Sequence, residues 1–244
     1  MNVTDPICRV SVVSTGQVQI RPDHVASTAG VTIMPGVGFG VVVTNCLARY
    51  VSDAAGGAAI LQVATRAATA QQGPGVAATR RQNMPYGGWI RQAGHLEPCP
   101  LGSGTITITL PDGPCLIMPL PTGDLEAAFQ ATGAADITAY GAMPGSPAAG
   151  DSQAPDPAPA AYRSFGWARA TGPDGATAAA LLQAGESYAF TAAASIRAVE
   201  ETLTRALHGA VSLAAAFGAD FALTIPGTSR TDTVCAEAPL AGRP

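Results

Sequence analysis

Two side chains in this 244-residue sequence have the chemistry to move a proton at the edge of a pocket, Asp124 and Tyr140. Asp124 follows a glycine and opens the stretch "DLEAAFQAT", so it reads as a general acid/base or as a helix N-cap. In the second reading its carboxylate accepts from the Ala127 N–H, and the cap is the simpler assignment. Tyr140 lies at the end of "DITAY", where its hydroxyl can donate to a ligand or make a structural hydrogen bond. Gln17 and Asn45 are neutral amides able to bond a substrate carbonyl without adding charge. Gln17 belongs to a turn, and Asn45 to a helix that follows the loop containing Gly36, Gly38, Phe39 and Gly40. Tyr86 and Trp89, in "MPYGGW", either line a ligand pocket or belong to the core. His95 falls in a hairpin turn and His208 at a helix C-terminus, where a cation is favourable.

The loop "MPGVGFGVVVTN" (34–45) resembles a phosphate cradle. A dinucleotide fingerprint requires G-x-G-x-x-G, with the third glycine allowing close helix–strand packing. Here the third glycine comes one residue early, at Gly40, and the next strand ends in Arg66 instead of an acid. Arginine at that place suits a 2′-phosphate, but the spacing is wrong. A Walker loop needs a lysine, and all 13 cations of this chain are arginines. The simpler reading is a tight turn, with Pro35 fixing φ, Gly36 and Gly38 permitting positive φ, and Phe39 packing inward. The helix N-terminus behind it has free N–H groups that can face a ligand carbonyl or carboxylate.

Composition narrows the classes further. Charged residues make up 12% and the net charge is −4, with no arginine cluster larger than Arg80–Arg81, so no basic footprint for nucleic acid exists. Five scattered cysteines include no CxxC pair, and the histidines are far apart, so spacing gives no zinc site. No run of about 18 apolar residues predicts a membrane span, and the N-terminus lacks a signal-like pattern. A cytoplasmic chain with free thiols is the expectation.

The elements that must position these residues follow from periodicity. Strand patterns occupy 8–20, 31–34, 58–66, 136–142 and 219–225. Hairpins are predicted at 89–98, at "TITITL"/"CLIMPL" around "PDGP", and at 162–170/176–183. Helices are predicted near 23–28, over 40–54, 124–132 and 187–208, with 73–85 ambiguous. The last long helix carries Ala192, Ile196, Val199, Leu203 and Leu207 at helical spacing. "PGTSRTD" reads as a closing turn. The Pro/Ala-rich stretch 144–161 lacks bulky apolar residues and reads as a flexible loop, and 233–244 as a disordered tail. Residues 1–232 are thus expected to form one α+β domain, a mixed, largely antiparallel sheet with helices packed on one face.

"AGVTIMPGVGFGVVVTNCLA", "STGQVQI", "IRQAGHLEPCP", "PTGDLEAAFQATGAADITAY", "ESYAFTAAASI" and "AFGADFALTIPGTSRTD" occur in an order that resembles the saccharopine dehydrogenase-like proteins, including trans-acting enoyl reductases. The resemblance covers residues 9–232 and is to the substrate domain, with the Rossmann domain missing. Gln17 stands where that family's turn has glutamate. Gly40 and Asn45 stand where aspartates are usual, and Val43 replaces a proline.

The resemblance implies a concave, apolar site for acyl or polyketide-like ligands, with no cofactor held by this chain and no NAD(P)H binding. The leading expectation is a cofactor-independent tailoring enzyme of secondary metabolism, a cyclase or isomerase acting on a polyketide- or lipid-like substrate. One alternative is the substrate domain of an NAD(P)-dependent oxidoreductase whose Rossmann part is lost or supplied by another chain. The other is a non-catalytic ligand-binding accessory protein. Expected partners are a small apolar substrate and either a second copy or a separate Rossmann subunit. The expected pocket is an apolar cavity bordered by residues 36–45 and 84–92.

Overall fold

The computed structural model describes residues 23–69, 73–83, 85, 87–143 and 162–233. Its elements, in chain order, begin with α1 (Asp23–Ala29), β1 (Thr32–Ile33), α2 (Phe39–Ala54), β2 (Ile60–Arg66) and α3 (Pro74–Asn83). Next come β3 (Gly88–Gln92), β4 (His95–Cys99), β5 (Ile106–Leu110), β6 (Gly113–Pro119), α4 (Asp124–Thr132) and β7 (Asp136–Ala142). The last are β8 (Ser164–Thr171), β9 (Thr177–Ala184), α5 (Ser187–Arg205), β10 (Gly209–Ala210), α6 (Leu213–Phe217), a 3-10 turn (Phe221–Thr224) and β11 (Ser229–Asp232). Gln17, Tyr86, the 8–20 strand pattern, the stretch 144–161 and the tail 234–244 lie outside the described residues.

The main sheet runs β11-β9-β8-β2-β7-β3-β4. Only β2 and β7 pair in parallel; every other ladder of this sheet is antiparallel. β7 is shared lengthwise. Its first half pairs β3 (Ile90↔Thr138) and its second half pairs β6 (Ile117↔Ala142), which carries the β5–β6 hairpin. The expected α+β architecture is therefore present.

Alternation along the strands divides the molecule into two cores. Leu61, Val63, Ile137, Ala139, Ala168 and Leu182 point to a helical layer built on α2, with Val42, Val43, Cys46, Leu47 and Val51 buried against them. Alternate residues point the other way. Ala64, Tyr140, Phe165 and Leu181 meet Ile108, Leu110, Cys115 and Ile117 of the β5–β6 hairpin, which folds over that face.

Cys46 lies in the helical-layer core, and burial pushes its thiol up to about 12 from an ordinary value of 9.0. A raised acid pKa leaves stability intact below the unfolded value and removes it as pH rises toward the folded one. Unfolding free energies from urea titrations at pH 8 to 11 should therefore fall in the wild type by on the order of 1.4 kcal/mol per pH unit above 9, and less steeply in Cys46→Ala. Equal slopes would rule the thiol out as the source.

Three elements depart from the sequence reading. "ADFALTI" is a 3-10 turn, not a strand, and its Phe221 and Ala222 are buried under α2. The "PGTSRTD" turn continues into β11, an edge strand paired with β9 through Arg230↔Leu182. Most consequential is α5. An apolar stripe ordinarily faces the core, yet Ile196, Val199 and Leu203 are 63%, 59% and 76% exposed. The face packed inward carries Phe190, Ala194 and Ala198 instead.

Candidate functional site

The glycine loop delivers α2 to the end of the sheet where β2 and β7 terminate. Gly36 has φ +74°, and a Cβ there would lie 2.8 Å from Val41 Cγ1, so both conformation and space require glycine. Gly38, the N-cap, has φ −98°, a value open to any residue, which corrects the expectation of positive φ there. The first helical N–H, that of Phe39, donates to Thr191 Oγ1 of α5 at 3.0 Å. The Phe39 ring stands edge-on to Phe190 with centroids 5.4 Å apart. Phe39 is thus a core residue that joins α2 to α5.

Asp124 is the first residue of α4, and Gly123 occupies the N-cap. The expected Ala127 bond goes to the Gly123 carbonyl (3.1 Å), so Asp124 is not the side-chain cap. Its carboxylate reaches across to α2 and accepts from Thr44 Oγ1 at 2.6 Å, in a position that also suits the positive end of the helix dipole. A Cβ on Gly40 would lie 3.8 Å from Asp124 Oδ1. An acid at position 40 would set a second carboxylate beside the first, and glycine avoids that repulsion.

Asn45 is fully buried. Its Nδ2 donates to the Ala127 carbonyl at 2.7 Å, and its Oδ1 accepts from the Ala214 N–H at 2.6 Å. The amide therefore ties α2 to both α4 and α6, which corrects its reading as a pocket residue. The same geometry explains why an amide stands at this position, since the site needs one donor and one acceptor together. Trp89 is half-buried on the same helical side and packs against that core. Residues 36–45 and the described part of 84–92 thus border packed structure, not the expected cavity.

Tyr140 lies on the opposite face of the sheet from Asp124, so these two candidates do not share a site. Gln62 Nε2 donates to Tyr140 Oη at 3.1 Å. Burial raises the pKa of the phenol, opposed by hydrogen bonds from Gln62 and Thr138, so Tyr140 stays protonated at neutral pH. On the same face the sheet and the β5–β6 hairpin enclose a gap with no room for a water molecule, which Tyr140 and Gln62 do not line. Ala64, Arg66, Ile108, Cys115, Phe165 and Trp167 are among its lining residues. Arg66 closes one end. Its guanidinium is buried, donates from both terminal nitrogens to the Asp112 carboxylate, and lies 4.7 Å from the Phe165 ring centroid. Its Nε has no partner. The arginine considered for a 2′-phosphate is thus already paired.

The sequence reading passed over this face because its polar members are spread over several strands. Gln62, Thr138 and Trp167 sit at unrelated sequence spacings and converge only through the sheet register, and Asp112 joins them through its pairing with Arg66. The one legible signal was the turn "PDGP", which places Asp112 at a hairpin tip. Arg91 was passed over likewise. It donates to the Gly94 carbonyl and to Glu126, each at 2.7 Å, and stacks on Phe129, fixing the β3–β4 turn to α4.

No protein-family model matches the chain, and no curated protein matches it. Among the described residues no group of three His, Cys, Asp or Glu side chains is placed to hold a metal ion. No helix among them is long and apolar enough to cross a membrane.

Proposed function

We propose that this chain binds an apolar, carbonyl-bearing acyl or polyketide-like molecule beneath the β5–β6 hairpin and isomerises or cyclises it. The observation that carries this reading is the Tyr140–Gln62 hydrogen bond on the sheet face that the apolar β5–β6 hairpin covers. Because Gln62 donates to the phenol oxygen, the phenol's own proton is available for a ligand carbonyl. Burial favours the neutral phenol, so Tyr140 acts as a hydrogen-bond donor and not as a base. A donor aimed at a carbonyl oxygen stabilises the charge that develops there on enolisation, while a solvent base takes the α-proton once the hairpin has lifted. The closed cleft is narrower than water, so binding requires the hairpin to lift. Its attachment to β7 is a ladder of three residue pairs, Ile117↔Ala142 to Pro119↔Tyr140.

Two measurements test the reading. A Trp89→Phe background leaves Trp167 as the reporter, and titration with a polyene fatty acid should quench it saturably. Exchange of the α-protons of a β-ketoacyl thioester into deuterated water, followed by NMR, should be accelerated by the protein. Tyr140→Phe should lower that acceleration by about 100-fold while leaving fatty-acid binding within a few-fold of wild type. Absence of quenching, or exchange unaffected by Tyr140→Phe, would overturn it.

A further inference from the structure

Arg66 is a cation in a place where charge is expensive, and the two ends of its ion pair stand on different footings. The Arg66 side chain is 3% exposed, whereas that of Asp112 is 37% exposed at the tip of the β5–β6 hairpin. Arg66 belongs to β2, the central strand of the main sheet, and the sheet holds it without help from the hairpin. Its guanidinium lies over Phe165, its neighbour on β8, and Nη2 reaches the Arg163 carbonyl at 3.5 Å. Asp112 instead travels with the hairpin. It takes both terminal nitrogens of Arg66 and leaves the buried Nε with no acceptor among the described residues. Of the described residues that line the gap beneath the hairpin, Arg66 alone is charged.

Resting on the reading above, in which the hairpin lifts to admit an apolar ligand, we infer that the ligand carries a carboxylate that replaces Asp112 on Arg66. Lifting the hairpin takes the counter-charge from a buried guanidinium, and a buried charge left unpaired is strongly unfavourable. Asp112 meets water as it leaves, so the penalty falls on Arg66. A neutral ligand leaves that penalty in place, and a ligand carboxylate removes it. The incoming group can bind side-on, through Nε and one terminal nitrogen, because the guanidinium fork matches a carboxylate along more than one edge. It then supplies the acceptor that Nε lacks in the closed state. Asp112 is in this sense an internal competitor, holding the seat until the ligand arrives.

The strand register adds a length. Gln62, Ala64 and Arg66 alternate onto one face of β2, and Tyr140 stands opposite Ala64. Gln62, which bonds Tyr140, is four residues from Arg66, about 13 Å along the strand. A ligand seated on Arg66 that offers its carbonyl to Tyr140 therefore has an apolar chain between the two groups, as a long-chain oxo acid does.

The polyene fatty acid and its methyl ester, titrated against Trp167 in the Trp89→Phe background at pH 7.5, separate charge from chain. The acid should bind at least about tenfold more tightly than the ester, the worth of a charged hydrogen-bonded contact. Apolar partition alone favours the ester, so the order is diagnostic. Arg66→Met, an apolar chain of similar length, should abolish the preference. Asp112→Asn, at the exposed hairpin tip, keeps the cation and removes the competitor. It should tighten acid and ester alike and preserve their ratio. Equal affinity for the two ligands, or a preference that survives Arg66→Met, overturns the inference and leaves the Tyr140 reading to stand or fall on the proton-exchange assay. Acid binding that Asp112→Asn fails to tighten overturns it as well. Failure of both ligands to quench Trp167 overturns the two readings together.

Discussion

Asn45→Asp should destabilise the protein by about 3–5 kcal/mol at pH 7, the largest loss expected from any single side-chain change described above. The amide is fully buried and has one job on each side, donating to Ala127 and accepting from Ala214. An ionised carboxylate keeps the acceptor and loses the donor. It then faces the Ala127 carbonyl oxygen at close range and carries a charge with no cation among its partners. The sign of the pH dependence follows. Burial raises the folded pKa of the new acid above its unfolded value, so the loss shrinks as pH falls and the carboxyl takes up a proton. Urea unfolding at pH 5 and pH 8 should show a larger deficit at pH 8. A deficit under 1 kcal/mol at both would mean that the amide does not clamp the three helices.

The second large effect concerns the spacing between α2 and the sheet. Gly166 lies in the middle of β8, on the face turned to α2, and a Cβ there would sit 2.0 Å from Val43 Cγ1 and 3.2 Å from Leu47 Cδ1. Both neighbours are fully buried and have no free direction in which to retreat. Strand propensity alone says that valine should improve this position. Overpacking predicts the opposite, and Gly166→Val should cost about 3 kcal/mol or more, with Gly166→Ala less. The pair Gly166→Ala with Val43→Ala should recover part of the loss, because the two changes share one contact. Additive losses in that double variant would show that Gly166 is required for another reason.

The same contact shows where sequence reading stops. Val41, Asn45, Ala48 and Val51 announce a helix by period alone, and the hairpins announce themselves through "AG" and "PDGP". These are local signals, since side-chain period and turn chemistry are set within a few residues. The glycine at 166 carries no such signal, because its reason is a helix more than a hundred residues earlier in the chain. Asn45 was misread for a related cause. A polar residue on a helix beside a glycine loop suits a pocket and a buried clamp equally, and only the positions of Ala127 and Ala214 decide between them.

The α5 stripe makes the point in reverse. Its period was legible, and its direction was not. The helix packs inward through Phe190 and two alanines, which allow close approach to the core, and this turns its larger residues to solvent. Asp124 and Tyr140, sixteen residues apart, each read as a separate catalytic candidate in the sequence, and the sheet stands between them. Strand alternation sends Tyr140 to the hairpin side, while α4 holds Asp124 against Thr44 on the helical side. By itself, then, the sequence determined most of the element types, the α+β class and the absence of a nucleotide fingerprint, because each rests on short-range pattern. The tertiary structure alone decided which face each side chain serves, because facing depends on the register of strands and the packing of helices far apart in the chain.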